Sequence, residues 1–512
     1  MQHVGAFAIP LFQFLTVTIA KFVLYLASIL TGLVACFAAF FLFVDRFVIP
    51  DRDVALLNYH QILLEAVPSP RIIIESGSNS AHGIEPALIE AAFGLPTIDI
   101  ADYAGVPLPA KVSRLEKYAR AGDIILMPLE WPYYFRDSYS SDFLEGMINP
   151  NDPFDSATYY FALSRLDRMD LVFRYMNFHY LSEGLAYRFN ENHYERIAWR
   201  LDNVLAEMDM SLEGDVKMPW IRTREVRGET CQTFIGAFDS PLSGMVQAVA
   251  ARLAKLQMER HLKIIVTWPA VAGKDCYDSR ALAHLVSRVR TMFARAGIQV
   301  IGTPQDSLFS DPHVLNTYYH IDPAAAHERT LRLIEVLKSA GLRANPTPAR
   351  AIRPLVAAAV AQEQDRINAS VSARLLPLAA GVYTPGTDEF KRHFYLVKGG
   401  WQQQESWGVW SRGASSIISI GRVPESCQMT LKARYLRPDR PARVFVDDVF
   451  VKTEDGAPVA LAPSGGAVSI RLDHPEPKSP KELGLSNDER TIAFGLEKII
   501  VQCNTTLASG ER

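Results

Sequence analysis

The chain has 512 residues, 48% of them hydrophobic and 21% charged, which provides enough apolar surface for two or three domains of ordinary size. A formal net charge of -3 excludes the basic balance of a nucleic-acid binder. Five cysteines with no CxxC pair argue against a zinc ribbon or a thioredoxin-like site, and neither a metal nor a cofactor is expected.

The first predicted element is a membrane anchor within residues 1–50. Phe22 to Val44 is a run of 23 residues without a charge, long enough to cross a hydrocarbon core of about 30 Å. It is too long for the apolar core of a cleaved signal peptide and ends in Phe-rich sequence. Lys21 precedes the run and Arg46 and Arg52 follow it, so the flanking charges orient it poorly.

Strands and helices alternate from about residue 70. Arg71–Glu75 (RIIIE), Thr97–Ile100, Asp123–Pro128 (DIILMP), Leu262–Trp268 (LKIIVTW) and Gln299–Ile301 read as buried strands. Pro86–Phe93, Ala110–Ala121, residues 278–296 and Pro323–Ser339 read as helices. Such alternation implies a parallel sheet with helices on both faces. The expected α/β domain covers 51–342, with an aromatic helical insertion at about 150–240 that breaks the pattern. Residues 343–390 hold five prolines and read as a linker with a helix over about 350–374. Residues 391–512 change to period-two alternation with turn residues between runs, which reads as a β-sandwich.

The chemistry is expected at the rim of the parallel sheet. The first strand runs straight into Ser76-Gly77-Ser78-Asn79-Ser80-Ala81-His82-Gly83, a serine-bearing strand-to-helix turn of the kind that exposes a nucleophile. Glycines there permit a sharp bend. The second strand leads to Asp102-Tyr103-Ala104-Gly105, where Gly105 brings a backbone N–H toward the same point. The third delivers Glu130 and Trp131, and a late segment, Asn316-Thr317-Tyr318-Tyr319-His320, places an imidazole just before the last helix.

This order of blocks (GSN…HGI, GDIILMPLEW and a late NTYYHID) resembles the SGNH, or GDSL-like, hydrolase superfamily over roughly residues 70–340. It looks most like the membrane-anchored branch associated with bacterial exopolysaccharides, whose relatives include the alginate O-acetylation proteins. The resemblance implies a flavodoxin-like three-layer parallel sheet. It makes Ser78 the nucleophile, His320 the general base and the N–H groups of Ser78 and Gly105 the oxyanion donors. Asn79, His82, Glu130 and Trp131 are the expected substrate-binding residues. Two departures stand out. Asn316 or Thr317 occupies the place of the family's usual Asp before the histidine, and Leu129-Glu130 replaces the block-three Asn. An Asn orients an imidazole but cannot stabilise imidazolium by charge; Asp311 or Asp322 is a candidate to compensate.

The implied activity is that of an O-acyl esterase or O-acetyltransferase acting on an exopolysaccharide or envelope glycan. The expected location is the inner membrane, with the soluble domains in the periplasm. Expected partners are the polysaccharide, the membrane and a membrane-bound acyl donor protein or polysaccharide synthase complex. The alternative is a non-catalytic glycan-binding or assembly component of such a complex. In that compartment two intradomain disulfides, Cys427–Cys503 and Cys231–Cys276, are plausible pairings, though sequence alone leaves them open. The GW…E-x-WG-x-WS pattern at Gly400 to Ser411 looks like β-sandwich modules of envelope glycan enzymes. Its tryptophans either stack on sugar or fill the sandwich core.

Overall fold

The computed structural model describes residues 21–36, 52–139, 162–169, 210–216, 238–272, 280–309 and 313–503, apart from 314, 316, 346–351, 398–399, 403 and 455. Five parallel strands form the first sheet: β1 (Ile72–Ile74), β2 (Thr97–Asp99), β3 (Ile124–Pro128), β4 (Lys263–Thr267) and β5 (Gln299–Val300). Their spatial order is 2-1-3-4-5, the doubly wound order of flavodoxin-like folds.

The helices of this part are α1 (Arg52–Ala66), α2 (Ser78–Ala81), α3 (Pro86–Phe93), α4 (Leu108–Tyr118), α5 (Pro132–Phe135), α6 (Gly244–Arg260), α7 (Arg280–Arg295) and α8 (Pro323–Ser339). Alternate strand residues point to opposite faces. Ile73, Ile125 and Ile264 share a core with Leu64 of α1, Leu115 of α4, Leu253 of α6 and Val289 of α7. Ile72, Leu126 and Ile265 share the other with Ile89 of α3 and Leu333 of α8. Three layers result, and the strands are buried on both sides, which explains their unbroken apolar runs.

A long helix, α9 (Arg353–Ser372), leads away from this unit. Its first turn adds Ile352 and Val356 to the α/β core, while Val371 near its end packs on Tyr395. Beyond it, α10 (Asp388–His393) and ten strands build two antiparallel sheets. One contains β8 (Val409–Trp410), β15 (Phe494–Cys503), β10 (Cys427–Tyr435) and β13 (Val459–Leu461) in that order, with β6 (Gly381–Tyr383) also on β15. The other runs β12 (Val449–Thr453), β11 (Arg443–Val446), β14 (Val468–Asp473), β9 (Ser415–Ile420) and β7 (Phe394–Leu396). Met429, Leu431, Ile418, Ile470 and Phe494 fill the space between them. Cys427 and Cys503 are directly opposite in register and form a disulfide. Cys231 and Cys276 lie outside the described residues.

Among the described residues no helix is long and apolar enough to cross a membrane. Of the expected anchor, residues 21–36 are helical with every side chain exposed, and 37–44 lie outside the described residues. Most of the expected insertion at 150–240 also lies outside them.

Candidate active site

In a 2-1-3-4-5 sheet the strand order reverses between β1 and β3, and such a switch point is where a crevice forms outside the carboxyl ends of the strands. The serine turn leaves β1 at this point. Of its three serines, Ser76 and Ser80 are fully buried and Ser78 alone reaches the surface in part. Ser76 is a packing residue, since its Oγ donates to the Pro128 carbonyl at 2.5 Å. Ser78 opens the one-turn helix α2 after Gly77.

Gly77 has φ -84°, a conformation open to any residue. Its requirement is closeness, because a Cβ there would stand 2.6 Å from the Glu130 carboxyl carbon. The sharp bend expected of this glycine is therefore not its role. Glu130 is buried, and its Oε1 accepts from the Asn79 amide N–H at 3.0 Å and from Asn79 Nδ2 at 3.2 Å. Burial pushes the Glu130 carboxyl above its usual range, against the Asn79 hydrogen bonds and Lys111, which favour the ionised form.

Asn79 is fully enclosed. Its Nδ2 also lies 3.1 Å from Ser76 Oγ and 3.1 Å from the Pro128 carbonyl. On its other side, Arg329 of α8 donates Nη1 to the Asn79 carbonyl at 2.7 Å and Nη2 to Asn79 Oδ1 at 3.0 Å. An arginine has no acceptor, so Oδ1 must face it. Asn79 and Glu130 are thus corrected from substrate ligands to the brace of the turn. Trp131 needs the same correction. It is buried against Tyr134, Phe238 and Trp268, and has no face left for a sugar.

His82 closes α2, donating its amide N–H to the Ser78 carbonyl at 3.0 Å, and stays partly exposed. His320 meets it there, with ring centroids 4.2 Å apart and planes tilted by 45°. The late histidine is therefore at the serine turn. A tight turn presents it: His320 N–H bonds the Thr317 carbonyl at 3.1 Å, Thr317 Oγ1 accepts from the Tyr319 amide at 3.2 Å, and the Leu315 amide bonds the His320 carbonyl at 2.8 Å. Burial lowers both imidazoles, His82 to about 4 and His320 well below its ordinary value, and His82 pushes His320 further down. Both are neutral at pH 7.

Asn316 and Asp311 lie outside the described residues. Asp322 is committed elsewhere: Oδ1 caps α8 through the Ala325 amide at 2.8 Å, and Oδ2 pairs with His313 Nδ1 at 3.0 Å. Thr317, at the other position where an acidic partner was expected, serves the backbone turn. Gly105 is partly exposed in the segment after β2. That segment is drawn to the serine turn by the Asp102 amide, which bonds the Ser76 carbonyl at 3.3 Å.

Sequence reasoning missed Arg329, Lys111 and Arg114. Each breaks an apolar stripe. Arg329 sits among the buried Ala325, Ala326, Leu333 and Leu337, and Lys111 and Arg114 among Leu108, Val112 and Leu115. A charge on the core face of a helix needs a partner inside, and that was the available signal. In the β-sandwich, Trp401 is buried, while Arg434 lies 4.5 Å over the Trp407 ring and Gly495 packs against both Trp407 and Trp410. Among the described residues no cluster of three or more His, Cys, Asp or Glu is placed to hold a metal.

No protein-family model matches the sequence, and no curated protein matches it. Among solved structures, the chain is similar to the secreted serine protease VesC from Vibrio cholerae at 14% identity and a TM-score of 0.15, over 21% of this chain and 24% of that one. It is also similar to a two-domain esterase (CEX) active on acetylated mannans, co-crystallised with mannopentaose. That match has 11% identity and a TM-score of 0.16, over 50% of this chain and 76% of that one. A second structure of that esterase gives 9% identity and a TM-score of 0.15, over 54% and 78%. Overlaps this loose define no shared fold, so the reading of the site rests on its own geometry.

Proposed function

We propose that the chain is an SGNH-type O-acyl esterase or O-acetyltransferase, tethered to the inner membrane through residues 22–44, that acts on an envelope or exported polysaccharide in the periplasm. One observation carries this reading: of the three serines on a buried, braced turn at the switch point of the sheet, Ser78 alone reaches the surface in part, and a neutral imidazole is brought beside that turn from a distant loop. Ser78 Oγ attacks the ester carbonyl while His320 takes its proton, and the N–H groups of Ser78 and Gly105 receive the oxyanion. His320 then returns the proton to the leaving alcohol. Water resolves the acyl-enzyme in an esterase, and a sugar hydroxyl does so in a transferase.

The test is labelling of the chain from Asp51 onward by a fluorophosphonate, beside Ser78→Ala and His320→Ala. Labelling of the parent that both variants lose is the expected result. Because burial keeps His320 unprotonated below its ordinary range, the rate should hold steady as pH falls from 7 through the range near 6.5 where an unperturbed histidine takes up its proton. A folded parent that takes no label would instead support the non-catalytic binding or assembly role, with Asn316 in place of the usual carboxylate as the reason.

A further inference from the structure

Four ionisable side chains are sealed beneath the serine turn. Glu75 ends the strand region of β1, Asp102 lies in the segment after β2, and Lys111 and Arg114 project from the core face of α4. Arg114 donates Nε to Glu75 Oε2 at 3.0 Å and Nη2 to the same carboxylate at 2.7 Å, and it reaches Asp102 Oδ2 at 2.9 Å. Lys111 is ion-paired to Asp102 and stands 3.6 Å from Glu75. Two cations thus face two carboxylates, which lets the group persist away from water.

Arg114 alone would serve that balance for Glu75. Lys111 does something else: its Nζ also donates to the Ser76 carbonyl at 2.7 Å, the oxygen that accepts from the Asp102 amide. One ammonium therefore holds the backbone two residues before Ser78 and the side chain three residues before Gly105. We infer that Lys111 is a positioning residue for the acyl-transfer site: it ties the turn after β1 to the segment after β2 and so sets the spacing of the two oxyanion donors. The inference rests on the Ser78 reading above.

The tie is titratable. Burial lowers the Lys111 ammonium to about 7, and Arg114 pushes the same way against Glu75 and Glu130. His60 of α1 also faces the cluster and is held neutral by burial and by Arg114 and Lys111. The charge that holds the two segments together is therefore lost as pH rises through about 7.

Hydrogen exchange at pH 6.5 tests this in the parent and in Lys111→Met. Residues 76–82 and 101–106 should both exchange at least about tenfold faster in the variant, as loss of a charged hydrogen bond requires, with β3 and β4 unchanged. Labelling by the fluorophosphonate should fall in the parent above about pH 7, and in the variant it should be slower at pH 6 and lack that alkaline limb. Unchanged exchange in either segment overturns the inference, even where labelling persists. A parent that takes no label sinks the esterase reading, whereas joint loosening of the two segments still upholds the tie. If Lys111→Met does not fold, Asp102→Asn makes the same test with the native shape. Loosening confined to 101–106 in that variant would also overturn the inference.

Discussion

At the scale of single residues, the serine turn is specified by what its neighbours cannot tolerate. Gly77→Ala would drive a methyl group into the buried Glu130 carboxyl. Glu130 cannot retreat without releasing two hydrogen bonds to Asn79. Overpacking of this kind costs about 1–3 kcal/mol, and urea unfolding of the variant should show a loss in that range together with weaker fluorophosphonate labelling. A variant as stable and as reactive as the parent would mean that the turn is not braced through Glu130. The strand-to-helix turn that carries Ser78 was legible because a Gly-Ser-rich segment follows an all-isoleucine strand. That Ser76 and Ser80 are packed inside, and that Asn79 and Glu130 brace the turn, was not legible. Those roles depend on contacts spanning 51 and 250 residues of chain, and residue type alone does not separate a brace from a ligand.

At the scale of elements, the parallel strands and most helices could be read from apolar runs and turn residues. Pro86–Phe93 ends at its left-handed cap Gly94, with φ 64°, and Pro323–Ser339 begins after its cap Asp322. The helix expected from Ala110 starts at Leu108, because Pro107 caps it and Pro109 fits in its first turn, where no amide donor is needed. What a linear pattern could not show is that α8 delivers two groups to the site, the loop of His320 before it and Arg329 one turn and a half inside it. Arg329 binds both the carbonyl and the side-chain oxygen of Asn79, as well as the Trp268 carbonyl at 3.4 Å. Replacing it with glutamine would leave buried acceptors short of donors. The expected loss is about 3 kcal/mol in chemical denaturation, the upper end for hydrogen bonds to a charged group. Equal stability would show that α8 reaches the serine turn through apolar packing alone.

At the scale of the whole molecule, two cores meet through one helix. The apolar cluster of the α/β part takes in Ile352 and Val356 at the start of α9, and the sandwich cluster begins at Leu378. Near the end of α9, the Asn368 side chain accepts from Tyr395 Oη at 2.9 Å. The disulfide belongs wholly to the second core. Cys427 and Cys503 are 76 residues apart in sequence, at the start of β10 and the end of β15. Closing a loop of that length in the unfolded chain is worth up to about 4–5 kcal/mol in the entropic account. Such a bond persists in an oxidising compartment, which agrees with the periplasmic placement proposed above. Reduction by dithiothreitol should therefore lower the melting temperature of the sandwich and leave the serine site nearly untouched. Calorimetry would then show one transition moving down, with fluorophosphonate labelling at room temperature retained. If labelling were lost together with the sandwich transition, the two cores would be a single cooperative unit. In that case α9 would be transmitting the state of the β-sandwich to the turn that carries Ser78.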